Sequence, residues 1–527
     1  MEVLRLVRSV KNSFASINLI PPEVLSHIPD HLDKYNTDRD LIALTHVCRR
    51  WRTIFISCPS LWSHLDCPNI DKTRAYIERL KAVPLEISLQ DMHGKSYTRK
   101  AFLLAAPHID RLRRMTIFMT DIPDDILTSQ FFRRAPLLEE LDIANFGAHF
   151  RFPSNAFLDG DLSLLRDLRL TGVITHLPWK NLSSFTTFYL CAFPEDRISV
   201  TQLLNSFENA PLLHTISFEY SIPDSSDAPP GRVVSLPSLK TLAVTAYLPH
   251  SFLLNHLSIP SDASLVLEFE FSGDTFPILD YLPRSSENIK ILPHVTAIDF
   301  LFEATWKYLR LGGPNGEIYV MAHHRSYRYD PLYAVDCQVL RSLDQSIPST
   351  TKRLVISKLQ LPPLPVNDSK VFQTLSSMNE LRSLTLTECH NLPLIRALNP
   401  NENASNIVIC PKLKDLVFYI RERDRFHITE VLNMTRERAS RDAKLSSITF
   451  VGLGGLVLEE FKLREYVGRV DYRVDDAPPK WDDHPSESGD ERVGRGNHLL
   501  LLSLEGLRTS VSLFGHPLAI GRLLFRV

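Results

Sequence analysis

Cysteine is sparse and unpatterned in this chain. The seven thiols, at 48, 58, 67, 191, 337, 389 and 410, form no Cys-x-x-Cys pair. That spacing argues against a disulfide framework or a zinc finger and for a reducing compartment. Excess charge of one sign is also missing. A formal net charge of −2 on 527 residues gives no case for nucleic acid or an anionic membrane as the main partner. The N-terminal MEVLRLVRSVKNSF holds no apolar run of signal-peptide length. The Asn-x-Ser/Thr sites at Asn181, Asn367, Asn403 and Asn433 are therefore expected to be silent, and the expected location is cytoplasmic or nuclear.

Catalytic motifs are lacking too. There is no Gly-x-Ser-x-Gly elbow and no His-Glu-x-x-His. Gly452-Leu453-Gly454-Gly455 lacks the Gly-Lys-Ser/Thr end of a phosphate loop and reads as a turn after a strand. Gly312-Gly313-Pro314-Asn315-Gly316 is turn chemistry, a hairpin leading into Ile318. His323 and His324 are adjacent, hence on opposite faces of a strand, with no third ligand at metal spacing. No catalytic residue, metal or cofactor is assigned, and the chain reads as a non-enzyme.

What is present is a balanced globular composition, 44% apolar and 23% charged, in a chain long enough for two or more units. The first unit spans 17–62. Pro21 and Pro22 stand where a helix can start without losing a bonded N–H. Val24, Leu25, Ile28 and Leu32 follow at helical steps, and Pro29 predicts a break among them. Thr37 and Asp40 read as a capping box, followed by one helical face of Leu41, Leu44, Val47, Cys48, Trp51, Ile54 and Phe55. Three short helices are expected.

The order Ile20-Pro21-x-Glu23-Val24-Leu25, then Ile28 and Leu32, then Asp40-Leu41-x-x-Leu44-x-x-Val47-Cys48-Arg49-Arg50-Trp51-Arg52 resembles the F-box domain. The resemblance implies docking onto a Skp-type adaptor and, through it, a cullin ubiquitin ligase. It implies contacts from Ile20, Pro21, Glu23, Leu25, Ile28, Leu41, Leu44, Val47, Cys48 and Trp51, with Ile20, Pro21, Leu25 and Ile28 exposed together. Two positions depart from the family pattern. Ile20 stands where Leu is usual, and Pro29 where an aromatic usually follows the isoleucine.

Beyond it, 66–80 reads as a connecting helix with Ala75, Ile77 and Leu80 inward. One triplet then keeps returning, apolar at the first, fourth and sixth places. It occurs at Leu112/Met115/Ile117, Leu138/Leu141/Ile143, Leu165/Leu168/Leu170, Phe185/Phe188/Leu190, Leu213/Ile216/Phe218 and Leu239/Leu242/Val244. Val295/Ile298/Phe300, Leu381/Leu384/Leu386, Leu413/Leu416/Phe418 and Leu445/Ile448/Phe450 continue it, with Leu354/Ile356 a weaker member. The central positions are mostly 20 to 32 residues apart. Leu267/Phe269 and Ile318/Val320 fill the two longer steps, either side of Ile298. Proline precedes several triplets, at 136, 211, 237 and 411, and is expected to hold the chain extended there.

This period predicts an α/β fold in which the helical unit is followed by an irregular solenoid. It resembles the leucine-rich-repeat family, whose Leu-x-x-Leu-x-Leu-x-x-Asn/Cys frame is complete at Leu381, Leu384, Leu386 and Cys389. The whole layout is similar to fungal-type F-box chains with divergent repeats. Strand residues flanking the central apolar position should line a concave polar face. Those taken as target-binding are Glu140, Asp142, Asp167, Arg169, Thr215, Ser217, Ser383, Thr385, Asp415 and Ser447. The expected division is an N-terminal extension (1–16), the F-box-like unit (17–62), a connecting region (63–107) and repeats (108–470). An acidic disordered linker (471–497) and an apolar tail (498–527) of unassigned role follow, with no membrane span. The implied function is substrate recognition for an SCF-type ubiquitin ligase. The alternative is a repeat scaffold whose helical head is only a cap.

Overall fold

The computed structural model describes residues 3, 7, 10, 11, 14–31, 37–66, 70–91, 96–120, 135–146, 150–151, 162–174, 181–191, 199–220, 227–246, 251–271, 286–302, 306–324, 350–358, 375–389, 392–402, 406–420, 426–452 and 457–473. Leu32 and the apolar tail lie outside them.

The chain opens with short helical pieces. Helix α1 (Pro22–Leu25) starts at its proline and stops after one turn. A 3-10 turn, Ile28–His31, carries Pro29, so the chain breaks where that ring forbids continuation. Helices α2 (Thr37–Thr45) and α3 (Arg49–Ser57) follow, then a 3-10 turn at Pro59–Trp62. Leu25, Trp51 and Phe55 form a small core, with Ile20, Ile28, Leu44, Cys48 and Ile54 packed against it. Trp51 and Phe55 meet edge to face, with ring centroids 5.6 Å apart.

Among the described residues, the rest is organised by one sheet of seventeen strands, with two separate two-stranded pairs beside it. They are β1 (His64–Leu65), β2 (Leu85–Asp91), β3 (Leu112–Met119), β4 (Glu140–Asn145), β5 (Asp167–Thr171), β6 (Thr187–Cys191), β7 (Thr215–Glu219), β8 (Thr241–Ala246) and β9 (Ser264–Phe271). Then come β10 (Ala297–Phe302), β11 (Trp306–Gly312), β12 (Glu317–His324), β13 (Arg353–Ser357), β14 (Ser383–Thr387), β15 (Asp415–Tyr419), β16 (Ser447–Val451) and β17 (Arg469–Arg473). Strands β1 to β9 pair in parallel and in chain order, as do β13 to β17. The sheet thus already includes strands from the 63–107 region. It also runs past 470 into β17, so residues 471–473 are strand and not the start of a disordered linker.

Every residue of the ten full triplets is 3% exposed or less. They form a single core with Leu41, Trp62 and Tyr76 at one end and Val467 and Val470 at the other. Burying each such side chain contributes about 1.5–3 kcal/mol, which the loss of chain entropy largely offsets. The prolines ahead of the strands do a different job from the one expected. Leu138 N–H bonds to Ala135 O at 3.0 Å, and Leu413 N–H to Cys410 O at 3.0 Å. Proline is therefore the second residue of a tight turn, where its fixed φ suits the bend. Behind the sheet, helix α4 (Ile70–Leu80) turns Thr73, Tyr76 and Leu80 inward, so Tyr76 takes the place expected for Ala75. Helices α5 (Ser96–Leu103), α6 (Val200–Glu208), α7 (Ser251–Leu254), α8 (Leu392–Leu398), α9 (Ile428–Ala439) and α10 (Val457–Tyr466) complete the set described.

One feature breaks the serial order. Strand β10 does not pair with β9. It runs parallel to β13, antiparallel to β11, and β11 returns antiparallel to β12, which lies parallel to β9. The spatial order is β9-β12-β11-β10-β13, so Ile318/Val320 fills a step on the other side of Ile298 from the one expected. The Gly312–Gly316 hairpin is present as read from sequence. A Cβ on Gly316 would lie 2.4 Å from Ser261 O and 2.6 Å from Ala263 O. Replacing Gly316 by Ala should therefore cost about 2 kcal/mol, read as a lower urea midpoint with unchanged slope.

Candidate functional site

Two surfaces are candidates. The first belongs to the helical unit. Pro21, Glu23 and Val47 are exposed, while Ile20, Ile28, Leu44 and Cys48 are half-buried. Leu25, Leu41 and Trp51 are buried. Leu25 and Trp51 make the unit's own core, and Leu41 packs into the core of the sheet. These three were expected among the contact residues. Leu25 is internal because the one-turn α1 packs it against Trp51 and Phe55 of α3, which buries Trp51 in turn, while Leu41 on α2 faces the sheet. The apolar side chains that do reach solvent are Ile17, Leu19, Val24, Ile42 and Val47, each more than 40% exposed.

A buried polar residue that sequence reasoning missed fixes this unit. Asn18 accepts the Trp51 indole N–H at 3.0 Å, and Arg50 donates to Ile20 O at 2.7 Å. Asn18 lies in a short 3-10 turn, Ser16–Leu19, ahead of the first helix, and a lone asparagine there gave no pattern by which to find it. Trp62 ties the unit to the sheet. Its indole N–H bonds to Phe55 O at 2.9 Å, its ring meets Tyr76 edge-on, and the Arg79 guanidinium lies 4.2 Å over it.

The second surface is the polar face of the sheet. Strand register aligns Glu140 with Asp167 and Asp142 with Arg169, and Ser383 with Asp415 and Ser447. Thr215 and Ser217 lie further along the same face, on β7, and Thr385 beside Ser383 on β14. All ten target-binding candidates are half-buried. They fall into two blocks with the antiparallel strands between. In the first block Arg169 donates to both Asp167 oxygens at 3.2 Å. Burial pushes the Asp142 carboxyl up to about 7, against the pull of Arg169. Burial also pushes the Cys191 thiol up to about 12, which makes it inert. In the second block Ser447 Oγ donates to Asp415 at 2.6 Å.

Between the blocks lies a cluster that the triplet pattern did not reveal. Asp299, 4% exposed, accepts from Arg353 at 3.1 and 3.2 Å and from Arg310 at 3.5 Å. Arg310 also pairs with Glu317, which accepts the Tyr319 hydroxyl. Burial pushes Asp299 upward while the two arginines pull it back. Tyr308 and Tyr319 are 6.1 Å apart, and Arg310 lies over Tyr319. The alternation Tyr308-x-Arg310-x-Gly312 leading into a hairpin cue was the signal available. His323 bonds to Glu268 at 3.1 Å, and among the described residues no cluster of His, Cys, Asp or Glu has metal-site geometry.

Residues 17–68 match the family model described as F-box-like. No curated protein matches the chain. A solved structure that it resembles is the crystal structure of the TLR13–ssRNA13 complex, at 15% identity and a TM-score of 0.31. The match covers 73% of this chain and 51% of that one, so the chain spans about half its length. At this score the repeat reading rests on the strand register above. No helix among the described residues is long and apolar enough to cross a membrane.

Asp142 gives a pH prediction. Its folded value lies above the ordinary carboxylate value of about 4, so the unfolded chain ionises first and stability falls as pH rises from about 4 to about 7. Asp142→Asn should remove that fall. The variant should unfold at a higher temperature than the parent at pH 8 and match it at pH 4.

Proposed function

We propose that this chain is a substrate-receptor subunit of an SCF-type cullin ubiquitin ligase. Its F-box-like unit binds a Skp-type adaptor, and its polar sheet face holds the protein to be modified. The observation carrying this reading is the family match over 17–68, joined to a unit with a small core and solvent-facing apolar side chains. Apolar anchors ringed by polar residues are what a protein interface uses. Catalysis would be proximity. Two tethers raise the effective concentration of target lysines near a charged conjugating enzyme, so the chain needs no nucleophile of its own.

A second reading has its own observation. Leu41 belongs to the core of the sheet and Trp62 clamps both units, as expected of a cap on a repeat scaffold. The readings part at the exposed residues. Aspartate at the buried Leu25 would unfold the unit under either, whereas Val24→Asp with Val47→Asp leaves the small core intact. The double variant should lose at least about tenfold in affinity for a purified Skp-type adaptor, with unchanged thermal unfolding. If the intact chain does not bind the adaptor, the scaffold reading stands.

A further inference from the structure

The polar face is low near the start of most strands. Strands β7 to β9 present Thr215, Ser217, Thr241, Ala243, Ser264 and Val266 there, with Glu219 and Glu268 further along, and strands β14 to β16 are similar in scale, with Tyr419 further along β15. The antiparallel insert stands between them and carries large side chains on the same face, Tyr308, Arg310 and Tyr319, with Arg353 alongside. Tyrosine and arginine are the residue types that dominate binding at protein interfaces.

Its ion pairs are asymmetric. The Asp299 side chain is 5% exposed, while its partners Arg353 and Arg310 are 52% and 37% exposed. His323 is likewise more exposed than its partner Glu268, at 42% against 25%. At Asp299 the acid is recessed and the bases face outward, whereas Arg310 and Glu317 are nearly equally exposed, at 37% and 30%. Elsewhere on this face the balance differs. Arg114 and Glu140 are almost equally exposed, and Asp167 is slightly more exposed than Arg169. Arg353 reaches Asp299 through Nη2 alone among its described contacts, leaving Nε and Nη1 able to donate to a carboxylate outside the chain.

We propose that the antiparallel insert is the docking point of the target, and that it takes an acidic, Asp/Glu-bearing segment of that protein through Arg353. The inference rests on the reading that the polar face holds a protein target. A carboxylate would meet an outward guanidinium whose own counter-ion, Asp299, lies beneath it.

The test uses the full chain and short fluorescein-labelled peptides in which Ser alternates with Glu, Lys or Gln. Anisotropy at low salt should show binding of the Glu peptide and not of the Lys or Gln peptides. Arg353→Gln should weaken the Glu peptide about tenfold, the scale of one charge-assisted hydrogen bond. Arg114→Gln, which removes the same charge at the far end of the face, should leave binding unchanged. If Arg353→Gln loses its fold, pairing it with Asp299→Asn removes the buried charge, and the double variant is read in the same way. Equal or tighter binding of the Lys peptide, or an Arg353→Gln variant that binds normally, would overturn the proposal. Adaptor pull-down of the intact chain separates the two readings. Adaptor binding without Glu-peptide binding refutes this inference alone, and peptide binding without adaptor binding refutes the ligase assignment alone.

Discussion

One backbone hydrogen bond, repeated at the same place in each turn of the chain, sets the register of the whole sheet. The residue ahead of each strand donates its N–H to the carbonyl of the equivalent residue one repeat earlier. It runs from Arg166 to Glu139, Thr186 to Arg166, His214 to Thr186, and Lys240 to His214, at 2.8 to 2.9 Å, and Ser264, the first residue of β9, bonds to Lys240 O at 2.7 Å. It resumes from Lys352 to Thr296, Arg382 to Lys352, Lys414 to Arg382, and Ser446 to Lys414, at 2.7 to 2.8 Å. A one-residue slip in a strand would exchange its faces, putting Leu168 outward and Arg169 inward. Because each bond fixes the next repeat relative to the last, the loops between may vary in length without disturbing the core. This accounts for steps as unequal as 20 and 32 residues.

The antiparallel insert is a splice in that ladder. Glu317 N–H bonds to Ala263 O, and Thr296 N–H to Gly312 O, so the spine passes from β9 to β12 and from β11 to β10 before resuming at β13. Gly316 makes the splice possible by admitting the Ser261 and Ala263 carbonyls where a Cβ would otherwise stand. Gly452 plays a similar part after β16. Its φ of +88° suits glycine, and a Cβ would lie 2.4 Å from Ile420 O.

The parts of this architecture legible in the sequence were those governed by periodicity. Leu384, Leu416 and Ile448 repeat because equivalent positions face one core. The order of the strands was not legible, since Ile318 and Val320 alternate in the same way on either side of Ile298. Chain order is the natural assumption, and only the hairpin at Gly312–Gly316 hinted otherwise. The helical unit failed differently. Val24 and Leu25 are neighbours of equal hydrophobicity in a one-turn helix, so the sequence could not say which faces solvent. Burial of Leu25 against Trp51 and Phe55 decided it.

Charge on the polar face follows from the same splice. Where strands stack in parallel order, a charged residue meets a similar position of its neighbour, so Asp142 sits beside Arg169 and near Asp167, and burial leaves its carboxyl only about half ionised at neutral pH. Strand reversal changes which positions meet. Arg310 on β11 lies opposite Asp299 on one side and Tyr319 on the other. Arg353 reaches the same carboxylate from β13. Two guanidiniums on one nearly buried acid offset part of the burial penalty that a lone Asp299 would incur, though burial still holds its carboxyl above the ordinary range, and the length of Arg353 carries its remaining donors outward. The reversed strands thus set an exposed arginine over a recessed acid between the two blocks of the polar face, a chemical distinction that a uniform parallel array of these repeats would not produce.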